Sequence, residues 1–167
     1  MRLLHFVVFN ALWFSAVYGR EDWLWLSSIL TLLLFVSGWQ HLWPRRYAML
    51  VLAAAGLLAE SLMVSSSQIS FSGNQLLPNW LILLWAGFVA MAFVSLSSLL
   101  HRRYWLAAIA GIVLGPVTYL TGLSFGAAST SVSYWQLAGG YALVWMIIML
   151  LFVRLLDTVG NSRQQHE

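Results

Sequence analysis

The sequence predicts an all-α, polytopic membrane bundle of six transmembrane helices with both termini in the cytoplasm. Of its 167 residues, 61% are apolar and only 8% are charged, whereas soluble domains carry about 25% charged residues. The apolar residues form six runs of the length that a helix needs to cross the hydrocarbon layer. Nearly all the arginines fall on one side of the resulting chain path. A water-soluble fold is therefore excluded.

The six predicted spans cover about residues 3–19, 23–43, 47–66, 79–100, 104–125 and 134–155. They form a single domain, residues 1–157, followed by a short cytoplasmic tail, residues 158–167. The first run also has the position of a signal peptide ending near Gly19. However, Asn10, Trp13 and Phe14 are unlike the simple leucine or alanine core of such a peptide, so we interpret this run as a span.

The distribution of arginine predicts the orientation. All eight basic residues are Arg, and only Arg20 falls on the predicted external side. The cytoplasmic side receives Arg2, Arg45, Arg46, Arg102, Arg103, Arg154 and Arg163. This asymmetry follows the positive-inside rule. It also accounts for the net charge of +3, which therefore does not indicate nucleic acid as a partner.

The ten tryptophans fall into two groups by depth. Three of them, Trp13, Trp85 and Trp145, lie deeper in their spans and are candidates for lining a site. The others lie near predicted span ends, where tryptophan anchors helices at the membrane interface: Trp23, Trp25, Trp39, Trp43, Trp80, Trp105 and Trp135.

The longest segment between spans, residues 67–78, carries no charge. It mixes Ser, Gly and Asn with Ile69, Phe71 and Leu76. We expect it to lie in the headgroup region or to fold back over the mouth of the bundle as a lid.

The fifth span contains a row of small residues that predicts close helix packing. Ala107, Gly111 and Gly115 recur at four-residue spacing, and Gly122 with Gly126 repeats that spacing. Pro116 removes a backbone donor and predicts a kink, beside which a cavity often forms. The alternative is that Gly and Pro are simply frequent in membrane helices.

Glu60 is the one acidic residue deep within a predicted span. A carboxylate there costs on the order of 3 kcal/mol on insertion scales, so it must face the bundle interior or water, or carry a proton. It is a candidate for proton coupling, for general acid or base chemistry, or for a counter-ion to a cationic ligand. The alternative is a structural carboxyl group that hydrogen-bonds to a neighbouring helix. The other candidates for ligand binding or proton coupling are Asn10, Trp13, Tyr119, Gln136 and Tyr141.

Several classes of chemistry have no positive signal. Cysteine is absent, and His5, His41 and His101 lack the spacing of metal ligands. Hydrolase, P-loop and dinucleotide motifs do not occur. We therefore predict no metal site and no cofactor, and no enzyme class is indicated.

Four separated motifs resemble one family. They read HFVVFNALWF near the start, GLLAESLM around Glu60, PNWLILLWAGF entering the fourth span and GIVLGPVTYLTGLSFGA through the fifth. Together they resemble the bacterial inner-membrane proteins of the domain-of-unknown-function family DUF2878, and the resemblance implies a multi-pass protein of the bacterial inner membrane without implying an activity. Such relatives often have an Asp-type acid in place of Glu60, and an Asn-His pair where this chain has Phe93, Val94 and Ser95.

These features lead to three hypotheses for function. The first is a protein that binds or handles a lipid-like or hydrophobic small molecule within the bilayer, or assists its modification, with Glu60 and the fifth span lining the pocket. The second is a small proton-coupled transporter that uses Glu60. The third is a structural or assembly subunit whose small-residue face binds another membrane protein or a second copy of this chain.

Overall fold

The computed structural model describes residues 1–73 and 76–164, with side chains described as far as residue 158. The helices are α1 (Arg2–Phe14, continued by a π-helical turn, Ser15–Gly19), α2 (Leu24–Leu42), α3 (Arg46–Ser65), α4 (Asn79–Met91, continued by a π-helical turn, Ala92–Leu96), α5 (Ser97–Leu100), α6 (Tyr104–Ser124) and α7 (Tyr134–Gln164). Two short strands, β1 (Ser70–Phe71) and β2 (Ala128–Ser129), pair antiparallel.

The helices confirm the multi-pass, membrane-helical class. Within the described ranges, four helical stretches are long and apolar enough to cross a membrane: Leu24–Ser65, Asn79–Leu100, Tyr104–Ser124 and Tyr134–Thr158. The first of these is 42 residues long, about twice the length that one crossing requires. A short 3₁₀ turn, Trp43–Arg45, divides it into α2 and α3.

Contacts with α4 show that the chain reverses between α2 and α3. Along α2, Thr31 donates to the carbonyl of Leu83 at 3.5 Å, and Gly38 lies further along beside Val94. Along α3 the order is inverted. Arg45, just before α3, reaches the Phe93 carbonyl, whereas Glu60 lies beside Trp85. Hence α2 runs parallel to α4 and α3 runs antiparallel to it.

Helices α6 and α7 form a tightly packed antiparallel hairpin. A β carbon on Gly111 would lie 2.5 Å from the carbonyl oxygen of Trp145, and one on Gly115 would lie 2.6 Å from Cγ of the same residue. Gly111 and Gly115 of the predicted small-residue row therefore pack against α7 within this chain, and Ala107 is buried. α6 runs through Pro116 as one helix.

Gly126 has a different role from the packing role that its spacing predicts. It lies beyond the last residue of α6 and has a φ of 70°, a left-handed conformation that commonly ends helices. Its N–H and that of Ala127 donate back to Leu123 and Gly122. Gly126 thus terminates the helix, while Gly122 faces Val17 of the first π-helical turn, 3.9 Å from the position a β carbon would take.

The alternating helices give the bundle two ends, named here by their arginines. The arginine-rich end carries Arg2, Arg45, Arg46, Arg102, Arg103 and Arg154, and the Arg20 end lies opposite. At the Arg20 end, β1 and β2 join the α3–α4 and α6–α7 loops, and Ser72 N–H donates to the Ala127 carbonyl at 2.9 Å. The Arg20 guanidinium donates to the Gly126 carbonyl at 2.9 Å. The described part of the loop over residues 67–78 therefore lies across this end.

Candidate ligand-binding site

Glu60 is the centre of a buried hydrogen-bond cluster that joins four helices. Its side chain, on α3, is 1% exposed. Tyr141 of α7 donates to Oε2 at 3.0 Å, Trp85 of α4 donates its indole N–H to Oε1 at 3.3 Å, and Tyr119 of α6 also donates to Oε1. The two tyrosine rings stack with 3.4 Å between their centroids. Three donors thus satisfy a carboxyl group that would otherwise be costly to bury.

Glycine makes this cluster sterically possible. Gly56 lies one helical turn before Glu60, and a β carbon there would overlap the ring of Trp85. The missing side chain lets the indole lie flat on α3 and reach the carboxyl group. Trp85 then stacks on Trp145, with ring centroids 5.4 Å apart and an angle of 17° between the ring planes.

A cavity of about 400 Å³ adjoins the cluster. Trp85 and Tyr119 belong to both, so the cavity reaches Glu60 through its two hydrogen-bond partners. Its walls come from α1, α4, α6 and α7, and from Phe71, Ala127 and Ala128 at the strand pair. The deeper walls are aromatic and aliphatic: Phe9, Leu84, Phe88, Met91, Leu96, Ala110 and Met149.

The cavity opens sideways, between α1 and α6. Helix α1 packs closely on α2 and α4, and α6 packs on α7, so α1 and α6 face each other across the cavity. Four residues that line the cavity are also exposed on the outer surface: Phe6, Asn10, Leu114 and Val117. At the Arg20 end the gap narrows where Val17 meets Gly122. The cavity therefore reaches the side of the bundle between these two helices.

Three of the tryptophans that line the cavity have an indole N–H group that lacks a hydrogen-bond partner among the described residues. These groups are the buried Nε1 atoms of Trp13, Trp80 and Trp145. Trp80 is the most enclosed of the three, with 3% of its surface exposed. Buried donors in folded proteins are nearly always paired, so this group of unpaired donors is an unusual feature of the cavity.

The sequence candidates separate into three groups in space. Glu60, Tyr119 and Tyr141 converge in the cluster, and Trp13 lines the cavity. Asn10 also lines it, but it is exposed and its amide donates to the Phe6 carbonyl of its own helix at 2.7 Å. Gln136 lies apart from the cluster. It is exposed, and its amide oxygen accepts from the backbone and hydroxyl of Ser133 at the start of α7.

Trp80 is the residue that sequence reasoning assigned wrongly. Its place at a span end predicts an exposed interface anchor, and Trp25, Trp105 and Trp135, which carry the same prediction, are indeed exposed. Instead it packs edge-on against Phe71 of β1, with ring centroids 5.8 Å apart. The signal that could have found it is the uncharged, partly apolar loop just before it, because such a loop covers the first turn of α4.

The chain was compared with known proteins. No curated protein and no solved structure matches it significantly. A family model does match, over residues 2–151, and its family is described as a protein of unknown function, DUF2878. The match includes every residue named here in the cavity and the Glu60 cluster, and it confirms the family predicted from the four motifs. The chain therefore belongs to the DUF2878 family.

Proposed function

We propose that this protein is a six-span protein of the bacterial inner membrane that holds a hydrophobic small molecule, taken up from the bilayer between α1 and α6. The observation that carries the proposal is the apolar cavity of about 400 Å³ with its lateral opening. Its volume falls within the range of about 300–1,000 Å³ typical of small-molecule sites. A mostly apolar wall with a few polar groups at one end is also typical of such sites.

The apolar lining favours binding over proton-coupled transport. A transporter that uses Glu60 would need polar groups leading from the carboxyl group toward the arginine-rich end. On that side the cavity is lined by Phe88, Met91, Leu96 and Met149. These residues suit a hydrocarbon chain and give a proton or a polar solute no hydrogen-bonding groups.

The alternating helix directions and the arginine distribution support six spans with both termini in the cytoplasm. We expect a test with single cysteines to agree, and the chain has no native cysteine to interfere. Ser129 lies at the Arg20 end and Ser98 at the arginine-rich end, and both are exposed. In intact spheroplasts, Ser129→Cys should react with a membrane-impermeant maleimide, whereas Ser98→Cys should react only after lysis. The reverse pattern, or reaction of both in intact spheroplasts, would contradict the orientation.

Filling the cavity should displace its occupant. Ala110 of α6 lines the cavity, whereas Ala108, two residues earlier, does not. We expect native mass spectrometry of wild-type protein and Ala108→Phe, extracted in gentle detergent, to detect the same retained hydrophobic species. Ala110→Phe should lose most of that species, because a phenyl ring takes up part of the space.

The two variants form a matched control, since both add the same ring to a half-buried alanine on one helix. Wild-type protein that retains no discrete species would count against the proposal. Equal retention by Ala110→Phe and wild type would show that the retained molecule lies elsewhere on the protein.

A further inference from the structure

The unpaired indoles and the apolar deeper wall define a ligand class, an inference that rests on the proposed function. We propose that the cavity takes an uncharged amphipathic molecule whose carbonyl oxygen accepts hydrogen bonds from the indole of Trp80 and from that of Trp13 or Trp145. Its hydrocarbon part lies against Phe88, Met91 and Met149, toward the arginine-rich end.

Among the described residues that line the cavity, the buried polar atoms without a partner are all donors. The side chains of Asn10, Thr118 and Thr121 each donate to a carbonyl of their own helix. The Nε1 atoms of the three tryptophans have no partner in the described part of the chain, and because they are buried, an acceptor in the cavity reaches one only when its ring turns toward the cavity. An indole N–H can only donate. The complementary ligand atom is therefore an acceptor.

The lining also favours a neutral acceptor. None of its residues is charged, so no cationic side chain is present to balance a carboxylate or a phosphate. The carboxyl group nearest the cavity, that of Glu60, already receives three donors and is not itself part of the lining. An ester, ketone or quinone carbonyl supplies an acceptor without a charge to neutralise.

The two ends of the cavity differ in a way that orients the ligand. Trp80, in the first turn of α4, packs on Phe71 at the Arg20 end, and Trp145 stacks on Trp85 about one turn further in. Beyond these rings the wall becomes aliphatic and aromatic. A carbonyl group near the indoles therefore leaves an attached chain pointing toward Met91 and Met149.

Indole NMR of the full-length protein tests this directly. The protein, labelled with ¹⁵N at the tryptophan indoles, is placed in nanodiscs of diether phosphatidylcholine, which lacks ester carbonyls. Methyl palmitate and heptadecane, similar in length but with and without a carbonyl group, are added in turn. Methyl palmitate should shift the Trp80 indole proton downfield, together with that of Trp13 or Trp145, and should bind roughly fivefold or more tightly than heptadecane, since one net hydrogen bond gives about that factor.

Conservative variants assign the effect to residues. Trp80→Phe, Trp13→Phe and Trp145→Phe each keep an aromatic ring and remove the donor, and they should reduce the preference for methyl palmitate over heptadecane. Trp135→Phe, at an indole that is 89% exposed, is the matched control and should leave that preference unchanged. The chemical shifts of the wild-type protein test the inference on their own, even if one variant fails to fold.

The outcomes separate this inference from the proposed function. If both probes bind equally and no indole proton moves downfield, the carbonyl inference is overturned while the cavity remains a hydrophobic site. If neither probe binds, the proposed function fails. Preferential binding of dodecyltrimethylammonium would overturn the uncharged class in favour of a cation. A second carbonyl probe, 2-decyl-1,4-benzoquinone, distinguishes a quinone from an acyl ester, and tighter binding of either carbonyl probe than of heptadecane supports the proposal.

Discussion

Replacing Gly111 with alanine is expected to destabilise the α6–α7 hairpin by about 2 kcal/mol or more, although alanine is normally the better helix former by about 1 kcal/mol. The added methyl group would lie 2.5 Å from the carbonyl oxygen of Trp145 and 2.8 Å from the backbone nitrogen of Met146. These are backbone atoms, so no rotamer change relieves the overlap and the helices must move apart. The separation weakens the packing of Trp145, which also lines the cavity.

Gly139→Ala is the matched control, because a β carbon on Gly139 would meet nothing within 4 Å. It makes the same chemical change on the partner helix without the overlap, so we expect it to be neutral or slightly stabilising. Unfolding of both variants and wild type by titration with sodium dodecyl sulfate in mixed micelles gives the comparison. Equal stability of Gly111→Ala and Gly139→Ala would contradict the close approach of α6 and α7.

The helical class followed from the sequence because each apolar run has a length set by the bilayer. Helix ends fell within a few residues of the predicted ones except in α7, which continues nine residues past the predicted end at 155, to Gln164. The small-residue row also predicted a close neighbour. The sequence could not identify that neighbouring helix, because Gly111 allows any helix to approach and only the fold brings Trp145 of α7 to it. The two π-helical turns, at Ser15–Gly19 and Ala92–Leu96, have no sequence signature. In the second π-helical turn, the Arg45 guanidinium donates a hydrogen bond to the Phe93 carbonyl at 2.9 Å.

The depth of a residue along its helix predicted part of the site. The direction in which the residue points from the helix axis explains which candidates do not join it. The positions of Glu60, Tyr119 and Tyr141 in their predicted spans give them a similar depth, and all three meet. Gln136 has a similar predicted depth, but five residues separate it from Tyr141, which turns it about 140° away on an ideal helix. A sequence gives the depth of a residue more readily than the side of a helix that a neighbour covers. This is also why the belt assignment failed for Trp80.

Replacing Glu60 with leucine is expected to be the most damaging change in the described bundle interior, with a loss of about 3–5 kcal/mol in the free energy of unfolding. Leucine would leave the Tyr119 and Tyr141 hydroxyls and the Trp85 indole without an acceptor in a buried place. Each unpaired buried donor costs about 1–3 kcal/mol. Glu60→Gln should cost less, because its amide oxygen still accepts from Tyr119 and Trp85 while its NH₂ group faces Tyr141. Unfolding in the same mixed micelles measures both losses.

Tyr141→Phe provides the second arm of a double-mutant cycle, with Tyr134→Phe as its control on the same helix. Tyr134 is 66% exposed, so its change should be close to neutral, whereas Tyr141→Phe removes a 3.0 Å bond to Glu60. If Glu60 acts through this bond, Tyr141→Phe should cost much less in the Glu60→Leu background than in wild type, because the acceptor is already gone. Additive losses would mean that the cluster is not energetically coupled. Coupled losses would show that Glu60 holds Tyr141 in place. Because the Tyr141 ring stacks on Tyr119, which lines the cavity, loss of Glu60 should then also disturb the site where we propose the ligand binds.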